Sequence, residues 1–123
     1  MGKLEAIPTE YAEQCMLVQY LELKGLKFSK IAQETFTRDW GTKMKNKMSG
    51  LRRGVPDMLI IIPTKSNMGP KNILLFIEMK RSKGGKISEE QSEWLEELSS
   101  VAGVFAKSAN GFEEAKKIIE SLL

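Results

Sequence analysis

Three charged residues stand at the ends of the two most apolar runs of this chain. Asp57 opens PDMLIIIP, and Glu78 and Lys80 close NILLFIEMK. Glu78 and Lys80 are two residues apart, so on a strand they project from one face about 7 Å apart, while Met79 points into the opposite layer. If the two runs pair as neighbouring strands, Asp57 comes to lie beside Glu78 where the strands diverge. Two carboxylates held together repel, and each acquires a raised pKa unless a cation lies between them. Hard oxygen ligands of this kind suit Mg²⁺ or Mn²⁺, which bind through a few carboxylates and water. Such a metal lowers the pKa of bound water and offsets charge on a reacting phosphate. Lys80, on the same face, is placed to orient that water or to stabilise the developing charge. The plainer reading makes Asp57 a turn cap and Glu78–Lys80 a surface ion pair. That reading suffices for any one residue taken alone, but it leaves the order Pro-Asp, apolar run, apolar run, Glu-x-Lys as a coincidence.

The elements that must position these residues follow from periodicity and turn chemistry. From Pro8-Thr9 the chain reads as a helix whose buried stripe is Tyr11, Cys15, Val18 with Ala12, Met16, Tyr20, ended by Gly25. LKFSKIAQETF (26–36) alternates as a strand. RDWGTKMKNKMSGLRRG (38–54) has no clean period and carries internal glycines, so it is expected to be a loop with at most a short helix. PDMLIII and NILLFIEMK are short, Ile/Leu-rich and bounded by turn residues, as strands covered on both faces are. RSKGGK (81–86) reads as a basic turn. Ser88 then caps a helix and Gln91 closes a capping box, with Trp94, Leu98 and Val101 facing inward. GVFAKS (103–108) is a short strand, and Asn110 is expected to cap a last helix with Phe112, Ala115, Ile119 and Leu122 inward. The sum is an α/β fold, a mixed sheet flanked by helices in the order α-β-β-β-α-β-α.

The 123 residues suit one domain with a single core, residues 1–123, and no apolar run approaches the roughly 20 residues of a membrane helix. The N-terminal segment has no signal-peptide pattern, and one cysteine fits a reducing compartment, so a cytoplasmic location is expected. With no histidine and one cysteine, histidine-based catalysis is excluded and a structural zinc site is not expected. Acid–base or metal chemistry must therefore come from carboxylates and lysine. Residues 38–88 hold twelve Lys/Arg against three Asp/Glu, whereas residues 89–123 hold three against eight. Arg38, Lys43, Lys45, Lys47, Arg52 and Arg53 precede Asp57, and Arg81, Lys83 and Lys86 follow Lys80. A basic block around the acids points to a polyanionic partner on one face, a solvated basic surface being the plainer alternative.

Pro56-Asp57 followed by Glu78-Met79-Lys80 resembles the PD-(D/E)xK nuclease superfamily, whose restriction-endonuclease-like core has this element order. The surroundings, RRGVPDMLIIIP, then LLFIEMKRSKGGKISEEQSEWLEEL, then a Gly-headed strand, are similar to the VRR-NUC domain. The resemblance runs from TEYAEQ (9–14) to the last helix, and its stand-alone phage and bacterial members are similar to Holliday junction resolvases. It implies that Asp57, Glu78 and the Met79 backbone carbonyl hold the metal and that Lys80 is the catalytic lysine. It also implies a glutamate on the first helix, Glu10 or alternatively Glu13, and a role near the reaction for Gln91. The expected activity is Mg²⁺-dependent endonucleolytic hydrolysis of four-way or branched DNA by a homodimer. The setting is DNA recombination or repair in a bacterial or phage-infected cell. A flap-cleaving, nicking or restriction-like nuclease of the same chemistry and a catalytically silent DNA-binding module are the alternatives.

Overall fold

The computed structural model describes residues 7–31, 39–64 and 72–123. Its elements are α1 (Glu10–Lys24), β1 (Lys27–Lys30), α2 (Trp40–Met48), β2 (Met58–Pro63), β3 (Asn72–Lys80), α3 (Glu89–Ser99), β4 (Val104–Asn110) and α4 (Phe112–Leu122). This is the α/β architecture expected from the sequence, with α2 added. Among the described residues, no helix is long and apolar enough to cross a membrane.

Helix α1 begins where Thr9 accepts a hydrogen bond from the Ala12 N–H at 3.0 Å, and it ends at Gly25 with φ 68°. Its buried side is rotated from the expected stripe. Leu17 and Leu21 are fully buried beside Tyr20 and Glu13, while Tyr11 and Met16 are exposed. Helix α1 has apolar residues on more than one side, and Leu17 and Leu21, four apart and so on one face, are the pair set against the sheet.

The segment expected to be mainly loop contains the nine-residue helix α2. Asp39 caps it, accepting from the Gly41 N–H at 3.1 Å and the Thr42 hydroxyl at 2.5 Å. Trp40, Met44 and Met48 recur every fourth residue, yet no residue of α2 is buried, so the helix is set by its cap and not by the core. Of the strand expected over 26–36, β1 accounts for Lys27–Lys30, and residues 32–36 lie outside the described residues.

The sheet has the order β1-β2-β3-β4. β1 and β3 flank β2 antiparallel, and β4 pairs parallel to β3. Met58 lies opposite Ile77, and Ile60 opposite Leu75. These residues, with Ile62 and Met79, form a fully buried layer against Leu17 and Leu21 of α1 and Ile119 of α4. Each such aliphatic side chain contributes roughly 1.5–3 kcal/mol on burial. The other face is less covered: Leu59, Ile61, Leu74 and Phe76 are half-buried. Complete burial therefore holds on one face only. Across β4 sits α3, whose most buried residue is Leu95. Of the expected inner positions, Trp94 and Leu98 are half-buried, and Val101 lies beyond the helix and is exposed.

Helix α4 buries Ala115 and Ile119 and packs Phe112 and Leu122 at the core's edge, as expected. Its cap differs. Asn110 ends β4, and the N-cap is Gly111, φ 92°, which brings no side chain. The missing acceptor comes from α1: the Glu13 carboxylate receives the Phe112 N–H. A carboxylate at a helix N-terminus satisfies an orphan donor and complements the helix dipole. The Gly111 N–H in turn donates to the Lys80 carbonyl at 2.9 Å, tying this corner to the end of β3. Glu13→Ala leaves a partly buried N–H without its acceptor, so urea denaturation should show a loss of about 1–3 kcal/mol.

Candidate active site

The site is built by continuing the β2–β3 register one step past its last pair. Met58 faces Ile77, so Asp57 comes level with Glu78 on the face opposite the buried layer. There the ladder ends and a side chain takes over. The Asp57 carboxylate accepts the Met79 N–H at 2.9 Å through Oδ2. On the far side of β2, the Ile31 N–H donates to the Asp57 carbonyl at 2.7 Å. Asp57 is thus held by β3 through its side chain and by the β1 end through its backbone. Because a strand residue directs its N–H and C=O to one edge, the Met79 carbonyl faces the same edge as Asp57.

Glu78 is 3% exposed. Its Oε1 accepts from the Gln91 side-chain amide at 2.7 Å and lies 3.5 Å from the Lys80 ammonium. Its Oε2 is buried with no hydrogen-bond partner. Burial, the Asp57 charge and, more weakly, Glu10 push the Glu78 carboxyl up to about 7, against a smaller pull from Lys80. Asp57 is also raised by burial, partly offset by the Met79 N–H, Lys80 and Lys30. An orphaned buried carboxylate oxygen beside a second carboxylate is the donor set that a hard divalent cation completes. Among the described residues no cluster of three or more His, Cys, Asp or Glu side chains is gathered. Mg²⁺ commonly uses only one or two carboxylates and keeps several waters, so Asp57, Glu78 and the Met79 carbonyl fit it.

The first-helix acids divide. Glu13 is committed to the α4 N-terminus, whereas Glu10, one turn earlier, is near enough to Glu78 to raise its charging cost. Gln91 closes the capping box and also contacts Glu78. Its Oε1 accepts the Ser88 N–H at 2.9 Å and its backbone N–H donates to Ser88 Oγ at 3.2 Å, while its Nε2 holds Glu78. Of the basic residues, Lys43, Lys45 and Lys47 are exposed on α2, and Arg53, Arg81, Lys83 and Lys86 are exposed on the segments entering β2 and leaving β3. Arg52 is exposed but engaged, donating to the carbonyls of Lys47 at 3.1 Å and Leu51 at 3.0 Å. Arg38 lies outside the described residues.

Two contributors escaped the sequence reading. Lys30 projects from β1 near enough to favour the ionised form of Asp57; an exposed strand lysine carries no local signal of this. Gly54 has φ +93°, and a Cβ there would lie 2.6 Å from the Glu90 carbonyl carbon and 2.8 Å from the Gln91 nitrogen. The chain leading to Asp57 therefore rests directly on the first turn of α3, the turn that carries Gln91. The signal was present as the glycine of RRG, three residues before Asp57.

A PD…ExK constellation at the open end of a mixed sheet defines a nuclease of the PD-(D/E)xK type. The VRR-NUC domain model matches residues 4–113, and the chain belongs to that family. A solved VRR_NUC domain protein superposes with a TM-score of 0.72 at 20% identity, covering 98% of this chain and 91% of its own. A second structure, a VRR_NUC domain, gives 0.64 at 20% identity, covering 94% and 100%. No curated protein sequence matches.

Two outcomes follow from this geometry. Gly54→Ala forces a side chain into positive φ and against the α3 backbone, so it should cost about 1–3 kcal/mol in thermal or urea unfolding. In chelator-treated protein the raised Glu78 carboxyl means that the folded state holds a proton that the unfolded state has released between pH 4.5 and about 7. Stability should therefore fall as pH rises through that window, by at most about 3 kcal/mol, and Glu78→Gln should flatten this part of the profile.

Proposed function

We propose that this chain is a divalent-metal-dependent endodeoxyribonuclease acting on branched DNA, four-way junctions foremost. The observation that carries the proposal is the Asp57–Glu78 pair with its orphaned, buried Oε2, set between two basic segments. Asp57, Glu78 and the Met79 carbonyl would hold Mg²⁺ or Mn²⁺, with Glu10 at the rim. When bound, the metal supplies charge neutralisation and an acidified water.

The chain's own groups account for the rest of the reaction. Lys80, anchored beside Glu78, donates to the attacking water or to a phosphate oxygen as negative charge builds there. The water oxygen bonds to phosphorus and releases a proton to solvent, the bond to the leaving sugar oxygen breaks, and that oxygen takes up a proton from solvent. Gln91 fixes the Glu78 carboxylate so that its free oxygen keeps one direction. The exposed lysines of α2, with Arg53, Arg81, Lys83 and Lys86, grip the backbone. Contacts of that kind position the duplex without reading bases, and they make affinity fall steeply with salt. No base-reading element stands out in the sequence, which favours recognition of shape.

Cutting both strands of a junction takes two sites, which a symmetric dimer supplies. A nine-residue helix is marginal in water on its own. The exposed stripe Trp40, Met44 and Met48 on α2 is the surface we assign to a second copy. Sedimentation showing only monomer at working concentration would remove the dimer from this reading.

With Mg²⁺, purified protein should cut a four-way junction, and Asp57→Ala and Lys80→Ala should each lower the rate by at least about 100-fold with junction binding largely retained. Intact junctions, flaps and duplexes after incubation of the wild type would sink the enzyme reading. Preference for flaps over junctions would move the substrate without moving the chemistry.

A further inference from the structure

At the carboxylate end of the sheet, but on its α1 face, a cleft of about 220 Å³ lies between α1 and β1. Tyr11, Gln14 and Val18 of α1, Phe28 and Lys30 of β1 and Met58 of β2 line it. Val18, Phe28 and Met58 make its apolar side. Gln14 Nε2 lies 3.7 Å from Met58 Sδ, so an amide stands within that apolar surface. Tyr11 is 79% exposed, far more than an aromatic ring left to pack within its own chain. Cys15, one turn further on, also lines the cleft.

The position of the cleft ties it to the reaction. Tyr11 follows Glu10 and Met58 follows Asp57 in the chain, so the cleft lies at the same end of the sheet as the acids, on its α1 face, while Asp57 and Glu78 project from the other face at that strand end. The Lys30 charge is felt at Asp57. An exposed aromatic face, an apolar wall and a cation at the same end of the sheet as a phosphodiester-cutting centre suit a flat ring that carries a phosphate. The volume is below the roughly 300–1,000 Å³ of sites that enclose a whole drug-sized ligand, and it fits a single ring system.

We propose that this cleft receives one unpaired nucleobase of the strand being cut, stacked on Tyr11, with Lys30 against the adjoining phosphate. The proposal rests on the nuclease reading and sharpens it. A base stacked within a duplex cannot enter without paying for unstacking, and that cost is lowest where pairing is already broken. Stacking is tolerant of sequence because every base offers a π-face. The cleft would thus select branch points over continuous duplex while remaining indifferent to sequence. That is a source of shape recognition distinct from the phosphate contacts.

The test is a binding measurement, made in an Asp57→Ala background so that no cleavage intervenes. Four-way junctions carry 2-aminopurine at each nucleotide flanking the branch point in turn. Stacking on Tyr11 should change the fluorescence at one such position on binding, Tyr11→Phe should preserve that change, and Tyr11→Ala should abolish it. Tyr11→Ala should also cost about 5- to 150-fold more affinity for the junction than for a fully paired duplex, the range expected for one base–aromatic stack. Fluorescence unaltered by Tyr11→Ala at every position, or equal losses on junction and duplex, would overturn the proposal. If the wild type proves unable to cut DNA yet the Tyr11-dependent signal is present, the nuclease reading fails and the base site stands. If it cuts and the signal is absent, the base site fails alone.

Discussion

The hydrogen bond from the Met79 N–H to the Asp57 carboxylate is the contact on which the rest of the site depends. It stands where β2 has stopped pairing with β3, and it gives a backbone donor that the ladder no longer serves an acceptor from a side chain. A strand end normally diverges into loop and turns its side chains loose. Here the next residue outward is fixed at the spacing of a paired strand, so Asp57 and Glu78 face each other across a gap whose width is set by the sheet. The buried layer beneath, Met58 and Ile77 with Met79, makes that gap rigid, because any slip in register would turn every one of those side chains to the other face.

Holding two carboxylates this way is unfavourable in the isolated chain, and the magnitudes show what the fold leaves undone. Burial dominates the shift of Glu78, the neighbouring Asp57 adds to it, and Lys80 offsets only part. One lysine at 3.5 Å and one amide at 2.7 Å satisfy Oε1, yet Oε2 has neither. A structural ion pair would be closed on both oxygens. The imbalance leaves Oε2 open to a group from outside the chain, such as the metal proposed above.

Glu13 illustrates the other case. It lies on the same helix as Glu10, three residues away, and is buried, but its carboxylate caps α4 at Phe112. The two glutamates share a residue type and nearly a position, and they differ in what the neighbouring element lacks. Gly111 brings no side chain to its own helix, and Glu13 fills the vacancy. Around them the supporting turns are packed backbone to backbone. Gly54 rests on Glu90 and Gln91, and a Cβ at Gly85 would lie 2.8 Å from the Lys80 Cβ. Glycine is needed at both positions because the chain passes too close for any side chain.

The sequence alone determined the strands that carry Asp57, Glu78 and Lys80, the capping box of α3, the stop at Gly25 and the basic character of the surroundings. Each of these rests on spacing within a few residues, and local chemistry decides such features. It allowed α2 at most as a short helix within a loop, because a helix with no buried face has no core period to read. It misplaced the inner side of α1 because that helix is apolar on more than one side, and only contact with the sheet selects one. The commitment of Glu13 to the α4 N-terminus, the contacts of Gln91 with both Ser88 and Glu78, the seat of Gly54 on α3 and the nearness of Lys30 to Asp57 were decided by tertiary structure. All four join residues far apart in the chain or weigh one donor against another, and such competitions are settled only when packing fixes which partner is within reach.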